Sequence, residues 1–166
     1  MQMAIRCKGA YNMKIIYCNR KPNTEVEKLL GATYVNFEQL LQESDILSVH
    51  SALNDETRNI FNKNTFAKMK PGSIFINTAR GGIHNENDLL EALNTGVIWG
   101  AGLDVTNPEP TNSNNPLLSM PNVAILPHIG SATVEARNEM SRLAAVNIIE
   151  FYKHNNIPNI VNPETM

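Results

Sequence analysis

Short runs of apolar, often β-branched residues alternate along this chain with stretches in which apolar positions recur three and four apart. The runs are KIIYC (14–18), TYV (33–35), DILSVH (45–50), SIFINT (73–78), WGAGLDV (99–105) and VAILP (123–127). Between them TEVEKLL (24–30), NFEQLLQES (36–44), NKNTFAKM (62–69) and NENDLLEALNTG (85–96) carry the helical period. A long amphipathic segment, about Val134 to Lys153, follows the last run. Continuous rather than alternating apolar strands imply burial on both faces, as in a parallel sheet. Strands that alternate with helices imply βαβ units, so the pattern predicts an α/β fold with a doubly wound parallel sheet of Rossmann type. The helix ends agree: Asn85 precedes the acidic first turn of Glu86 and Asp88, and Gly96 follows the last periodic residue. NPEPTNSNNP (107–116) reads as a polar, proline-bounded loop leaving a strand end, where such sheets build their sites.

The front of the chain breaks the pattern. Residues Ala4 to Tyr11 read as the tail of a helix that runs straight into KIIYC. In a doubly wound nucleotide-binding domain the first strand is central and feeds a glycine-rich turn that cradles a pyrophosphate. No G-x-G-x-x-G occurs in these 166 residues. Two readings are open. In one, KIIYC is the second strand, Met1 to Asn12 is the remnant of the first helix, and the first strand and phosphate loop are lacking. In the other, KIIYC is the first strand and NRKPN an unusual turn after it, although that turn holds Pro22 and no glycine for close backbone approach. On the first reading, residues 14–18 are expected to close the gap by pairing directly with 45–50.

Composition narrows the partners. A net charge of -2 argues against a nucleic-acid or anionic-membrane surface. There is no apolar run of bilayer length, and Arg6 and Lys8 interrupt any signal-peptide core. Cys7 and Cys18 are too few for a disulfide scaffold and share no metal-ligand spacing with a histidine. Free thiols point to a reducing compartment, the cytoplasm, and no metal site is expected.

Some residues carry chemistry by type and place. Arg80 follows the strand SIFINT, where a guanidinium can fork onto a carboxylate or simply remain a solvated surface arginine. His128 ends the strand run VAILP between Pro127 and Gly130, so a constrained turn would fix a proton donor suited to neutral pH, or a structural imidazole. His50 ends a strand in the same way, while His84 and His154 read as surface residues. Where NAD-preferring folds place an acidic residue, at the end of the second strand, this chain has Asn19, Arg20 and Lys21. Two cations without a carboxylate suit a ribose 2′-phosphate and predict NADP, with NAD possible; the alternative is a basic surface turn.

The stretch from SVHSALNDETRNIFNKNTFAKMKPGSIFINTARGG through GLDVTNPEP to LPHIGSAT resembles the D-isomer-specific 2-hydroxyacid dehydrogenases, with its closest look toward the glyoxylate/hydroxypyruvate reductase branch. Three motifs occur in order and at matching spacing, over essentially the whole chain. The resemblance implies that Arg80 binds substrate, that His128 is the acid/base residue, and that Glu109 is its carboxylate partner, with Ser131 also at the substrate. It places Ala52, Thr78, Asp104 and Gly130 around the nicotinamide, Asp104 toward the carboxamide. It implies a small 2-oxo or 2-hydroxy acid as the partner, and a homodimer formed through this domain in the intact enzyme. Residues 1–154 would be an incomplete dinucleotide-binding domain and 155–166 a tail leading to the absent substrate domain. Function then divides between a truncated dehydrogenase and an inactive product acting only through subunit contacts. A homocysteine-releasing hydrolase is a third possibility, against which NPEPT and PHIGSAT speak.

Overall fold

Each apolar run and each periodic stretch forms its element, most of them shorter than the run itself. In the computed structural model, which describes residues 1–154 and 156–165, the order is α1 (Gln2–Tyr11), β1 (Ile16–Tyr17), α2 (Thr24–Leu30), β2 (Thr33–Tyr34), α3 (Phe37–Glu43), β3 (Ile46–Val49), α4 (Lys63–Phe66), β4 (Ile74–Asn77), α5 (Glu86–Asn94), β5 (Gly100–Leu103), β6 (Val123–Ile125) and α6 (Val134–His154). Asparagine side chains start four of the helices. Asn23 accepts from the Val26 amide, Asn36 from Gln39 and Asn85 from Asp88, while Asn62 and Thr65 cap α4 reciprocally. Each satisfies an amide that the first helical turn cannot. The chain divides into two units, Met1–Pro127 and His128–Met166. Asn155, where the expected tail begins, lies outside the described residues.

All pairing in the first unit is parallel, and β3-β4-β5-β6 form a four-stranded sheet in chain order. Register aligns Leu47, Phe75, Ala101 and Val123 in one row, and Val49, Asn77, Leu103 and Ile125 in another of the same parity. These rows face the core, where Leu41 of α3, Phe66 of α4, and Leu89 and Leu93 of α5 are buried with them. Phe75 is fully buried, its ring centroid 5.0 Å from Phe61 and 5.3 Å from Phe66. The opposite parity differs from expectation. Ile46 and Ala124 are exposed and Ile74, Ile76 and Gly102 half-buried, while Gly100 of the same parity is buried, so the second face is covered less fully than the first. Continuous apolar sequence marks residues able to be buried on both sides; it does not supply the covering helices.

The expected pairing of 14–18 with 45–50 does not form. β1 pairs only with β2, Ile16 opposite Thr33 and Tyr17 opposite Tyr34, in a separate two-stranded sheet. β1 and β2 thus form one sheet and β3 to β6 another, with no ladder between β1 and β3.

Candidate functional site

The turn after β4 is built around one buried amide. Asn77 shares the parity of Phe75 and is fully buried. Its Oδ1 accepts from the Ala79 amide at 3.0 Å, while Nδ2 reaches the Arg80 carbonyl at 3.0 Å and His84 Nδ1 at 2.9 Å. Three bonds thus shape the turn that carries Thr78 and Arg80, both of which are exposed. The Arg80 guanidinium also folds back on the Ala79 carbonyl, 2.6 Å from Nη1.

His84 is not a surface residue. It is fully buried, its backbone bridged to Phe61 and its ring 5.7 Å from Phe75. The bridge draws it beneath the turn despite its polar neighbours in HNEND. Burial lowers its pKa to about 4, so the ring is neutral at pH 7 and Nδ1 accepts from Asn77. His154 is exposed, as expected, 3.9 Å from Glu150. His50 is exposed beside Ser48, 3.0 Å from its hydroxyl, and desolvation lowers its pKa.

Gly81 joins this turn to the loop after β5. A Cβ there would overlap the Thr106 carbonyl and come within 2.9 Å of the Asn107 nitrogen. Only a glycine lets these two backbones meet. On the other side of the contact, the Thr106 amide donates to Glu109 Oε2 at 3.3 Å, and the Thr106 hydroxyl donates to the Pro108 carbonyl at 2.9 Å. Arg80 and Glu109 are therefore carried by two loops that pack backbone to backbone. Asp104 is buried at the end of β5, its amide bonded to the Asn77 carbonyl.

The other positions lie at further strand ends. Ala52, past β3, is exposed and its carbonyl accepts from the Thr57 hydroxyl at 2.7 Å within an Asn54–Thr57 turn. Asn19, Arg20 and Lys21 follow β1 and are exposed. In the second unit His128 has φ 55°, a left-handed conformation in which a non-glycine residue is strained. Gly130 and Ser131 are exposed beside it, the Ala132 amide bonds to the Ile129 carbonyl, and Thr133 accepts from Ala136 to start α6. Asn77, Gly81 and His84 are the site-shaping residues that sequence reasoning missed. Asn77 was signalled by an amide inside an otherwise apolar strand, on the parity of Phe75.

Ala52, Thr78, Asp104 and the basic turn all follow the carboxyl ends of parallel strands, the edge where open α/β sheets take their ligands. Parallel strands with helices and such an edge are the architecture of nucleotide-binding α/β domains. Residues 1–130 match the family model of the D-isomer specific 2-hydroxyacid dehydrogenase NAD binding domain, and the chain belongs to that family. A glyoxylate reductase from Thermococcus litoralis is 46% identical over 99% of this chain and 49% of its own length. A glyoxylate/hydroxypyruvate reductase B from Shigella boydii is 45% identical over 98% of this chain and 50% of its own. The crystal structure of a glyoxylate reductase from Paecilomyes thermophila superposes with a TM-score of 0.84 at 40% identity, covering 95% of this chain and 47% of that one. The chain thus spans about half the length of the curated relatives it matches. Among the described residues no helix is long and apolar enough to cross a membrane.

Proposed function

We propose that this chain is the nucleotide-binding part of an NADPH-dependent 2-hydroxyacid dehydrogenase that reduces a small 2-oxo acid such as glyoxylate or hydroxypyruvate in the cytoplasm. The observation that carries the reading is the backbone contact of Gly81 with Thr106, which brings the Arg80 and Glu109 loops together at the ligand edge of a domain of this family. When bound, the nicotinamide supplies the hydride. Arg80 forks onto the substrate carboxylate and polarises the neighbouring carbonyl. His128 gives its proton to the oxygen as charge develops there, and Ser131 adds a hydroxyl to the substrate site. Glu109, as the carboxylate partner of His128, orients its imidazole. Ala52, Thr78, Asp104 and Gly130 surround the nicotinamide, and Asp104 accepts from the carboxamide.

In an enzyme bearing this segment with its substrate domain, Glu109→Gln is expected to lower kcat/KM by about tenfold or more, as loss of the group that orients a general acid does. An unchanged kcat/KM refutes the pairing.

Cofactor choice follows from Arg20 and Lys21, whose side chains would donate charge-assisted hydrogen bonds to a 2′-phosphate. Fluorescence titration of the 166-residue chain with NADPH and NADH tests this, together with glyoxylate-dependent oxidation of each. Without a glycine-rich turn to hold the pyrophosphate, both are expected to bind weakly, NADPH the better by about tenfold. Preference for NADH overturns the choice. The break between β1 and β3 favours a second reading, an inactive chain acting through subunit contacts in a homodimeric enzyme. Turnover by the purified chain excludes it.

A further inference from the structure

Both ends of the turn that carries Arg20 and Lys21 are held by tyrosine hydroxyls. Parallel pairing of β1 with β2 sets Tyr17 opposite Tyr34, and their rings meet edge to face at 5.5 Å. At the start of the turn the Tyr34 hydroxyl donates to the Asn19 carbonyl at 3.0 Å. At its end the Asn23 amide donates to the Tyr17 hydroxyl at 2.6 Å, and that hydroxyl donates to Glu27 Oε1 at 2.7 Å. Asn23 is also the cap of α2, so the second grip reaches the helix through one residue. Between the grips stand Arg20, Lys21 and Pro22, all exposed, and proline removes one further freedom from the turn. Among the described residues, no carboxylate lies in ion-pair range of Arg20 or Lys21. The nearest acidic residues in sequence are Glu25 and Glu27 on α2, and Tyr17 keeps the Glu27 carboxylate engaged.

We propose that Tyr17 and Tyr34 are positioning residues for cofactor selection, a paired clamp that fixes the Asn19–Asn23 turn and preorganises Arg20 and Lys21 for a phosphate on the ribose 2′ position. The inference rests on the reading that those cations take that phosphate. An unclamped five-residue turn would have to be ordered on binding, at a cost to affinity that the clamp has already met during folding. Neither tyrosine touches the ligand. Their effect falls on the preference for the 2′-phosphate, and binding of the rest of the nucleotide is unaffected.

Calorimetric titration of the purified chain with adenosine 2′,5′-bisphosphate and with adenosine 5′-monophosphate tests both levels. The unmutated chain is expected to prefer the bisphosphate, and the Arg20→Ala/Lys21→Ala double variant to lose that preference. Tyr34→Phe and Tyr17→Phe are each expected to lower it about fivefold, the worth of one hydrogen bond, with monophosphate affinity unchanged. If the double variant keeps the preference, or if the unmutated chain binds neither nucleotide, the 2′-phosphate reading falls and the clamp falls with it. If the double variant loses the preference and both phenylalanine variants keep it, the reading stands and the clamp is wrong. Amide exchange in the unmutated chain gives a readout free of any folding defect. The clamp predicts a protected Asn23 amide, and free exchange there overturns it.

Discussion

Replacing Gly81 by alanine is expected to lower stability by about 3 kcal/mol or more, a fall of roughly 10 °C in melting temperature for a chain of this size. The added methyl would meet the Thr106 carbonyl and the Asn107 nitrogen. Both are backbone, so no side chain can swing aside. Relief requires moving the Arg80 turn away from the loop that bears Glu109, and the variant should therefore lose geometry as well as stability. Gly9→Ala is the control, because a methyl at Gly9 meets nothing within 4 Å. Thermal or urea unfolding of the three chains checks the prediction. Equal midpoints for the unmutated chain and Gly81→Ala would refute the close approach.

Acid should weaken the fold through His84. Its pKa of about 4 lies below the ordinary 6.5 because the buried ring is desolvated when charged. The folded chain therefore holds fewer protons than the unfolded chain between these values. His84's contribution is complete above pH 6.5, declines as pH falls, and is gone near pH 4, a loss of about 3 kcal/mol. Protonation also makes Nδ1 a donor facing the Asn77 amide nitrogen, so the bond that orients Asn77 and the Arg80 carbonyl is broken. His84→Val is expected to flatten the pH dependence of unfolding free energy across this window, even if its stability at pH 7 is lower. His50 has a pKa lowered in the same direction, so the difference between the two chains isolates His84. An identical acid decline in His84→Val would show that another group is responsible.

Much of the architecture was legible because helix starts and strand runs are local. α2 forms over Thr24–Leu30 as its periodicity dictates, and the six strands appear in order. The strand partners were less legible. Direct pairing of KIIYC with DILSVH satisfied the need to hydrogen-bond two exposed edges, but β1 pairs with β2 and β3 with β4, in separate sheets. Arg80 and His128 stood out as residues at strand ends, and Glu109 only through the resemblance of its motif. The groups that shape those ends did not. Asn77 looks like the end of a strand, Gly81 like half of a flexible pair, and His84 like part of a polar loop. Each acquires its role from a contact with a residue distant in sequence or beneath the surface, and no period encodes that.

The ladder joining β1 to β2 is two residues long on each strand, whereas β3, β4 and β5 are joined over four. Local opening of the shorter piece therefore costs less free energy than opening the larger sheet, and the piece acts as a separate foldon. The Asn19–Asn23 turn rides on it. Any ligand held there is linked to the closed form and shifts the opening equilibrium by mass action, in proportion to the logarithm of its concentration over its dissociation constant. Nucleotide concentration would then set how much of the β1–β2 layer is folded at a given moment, while the layer that carries Arg80 responds far less.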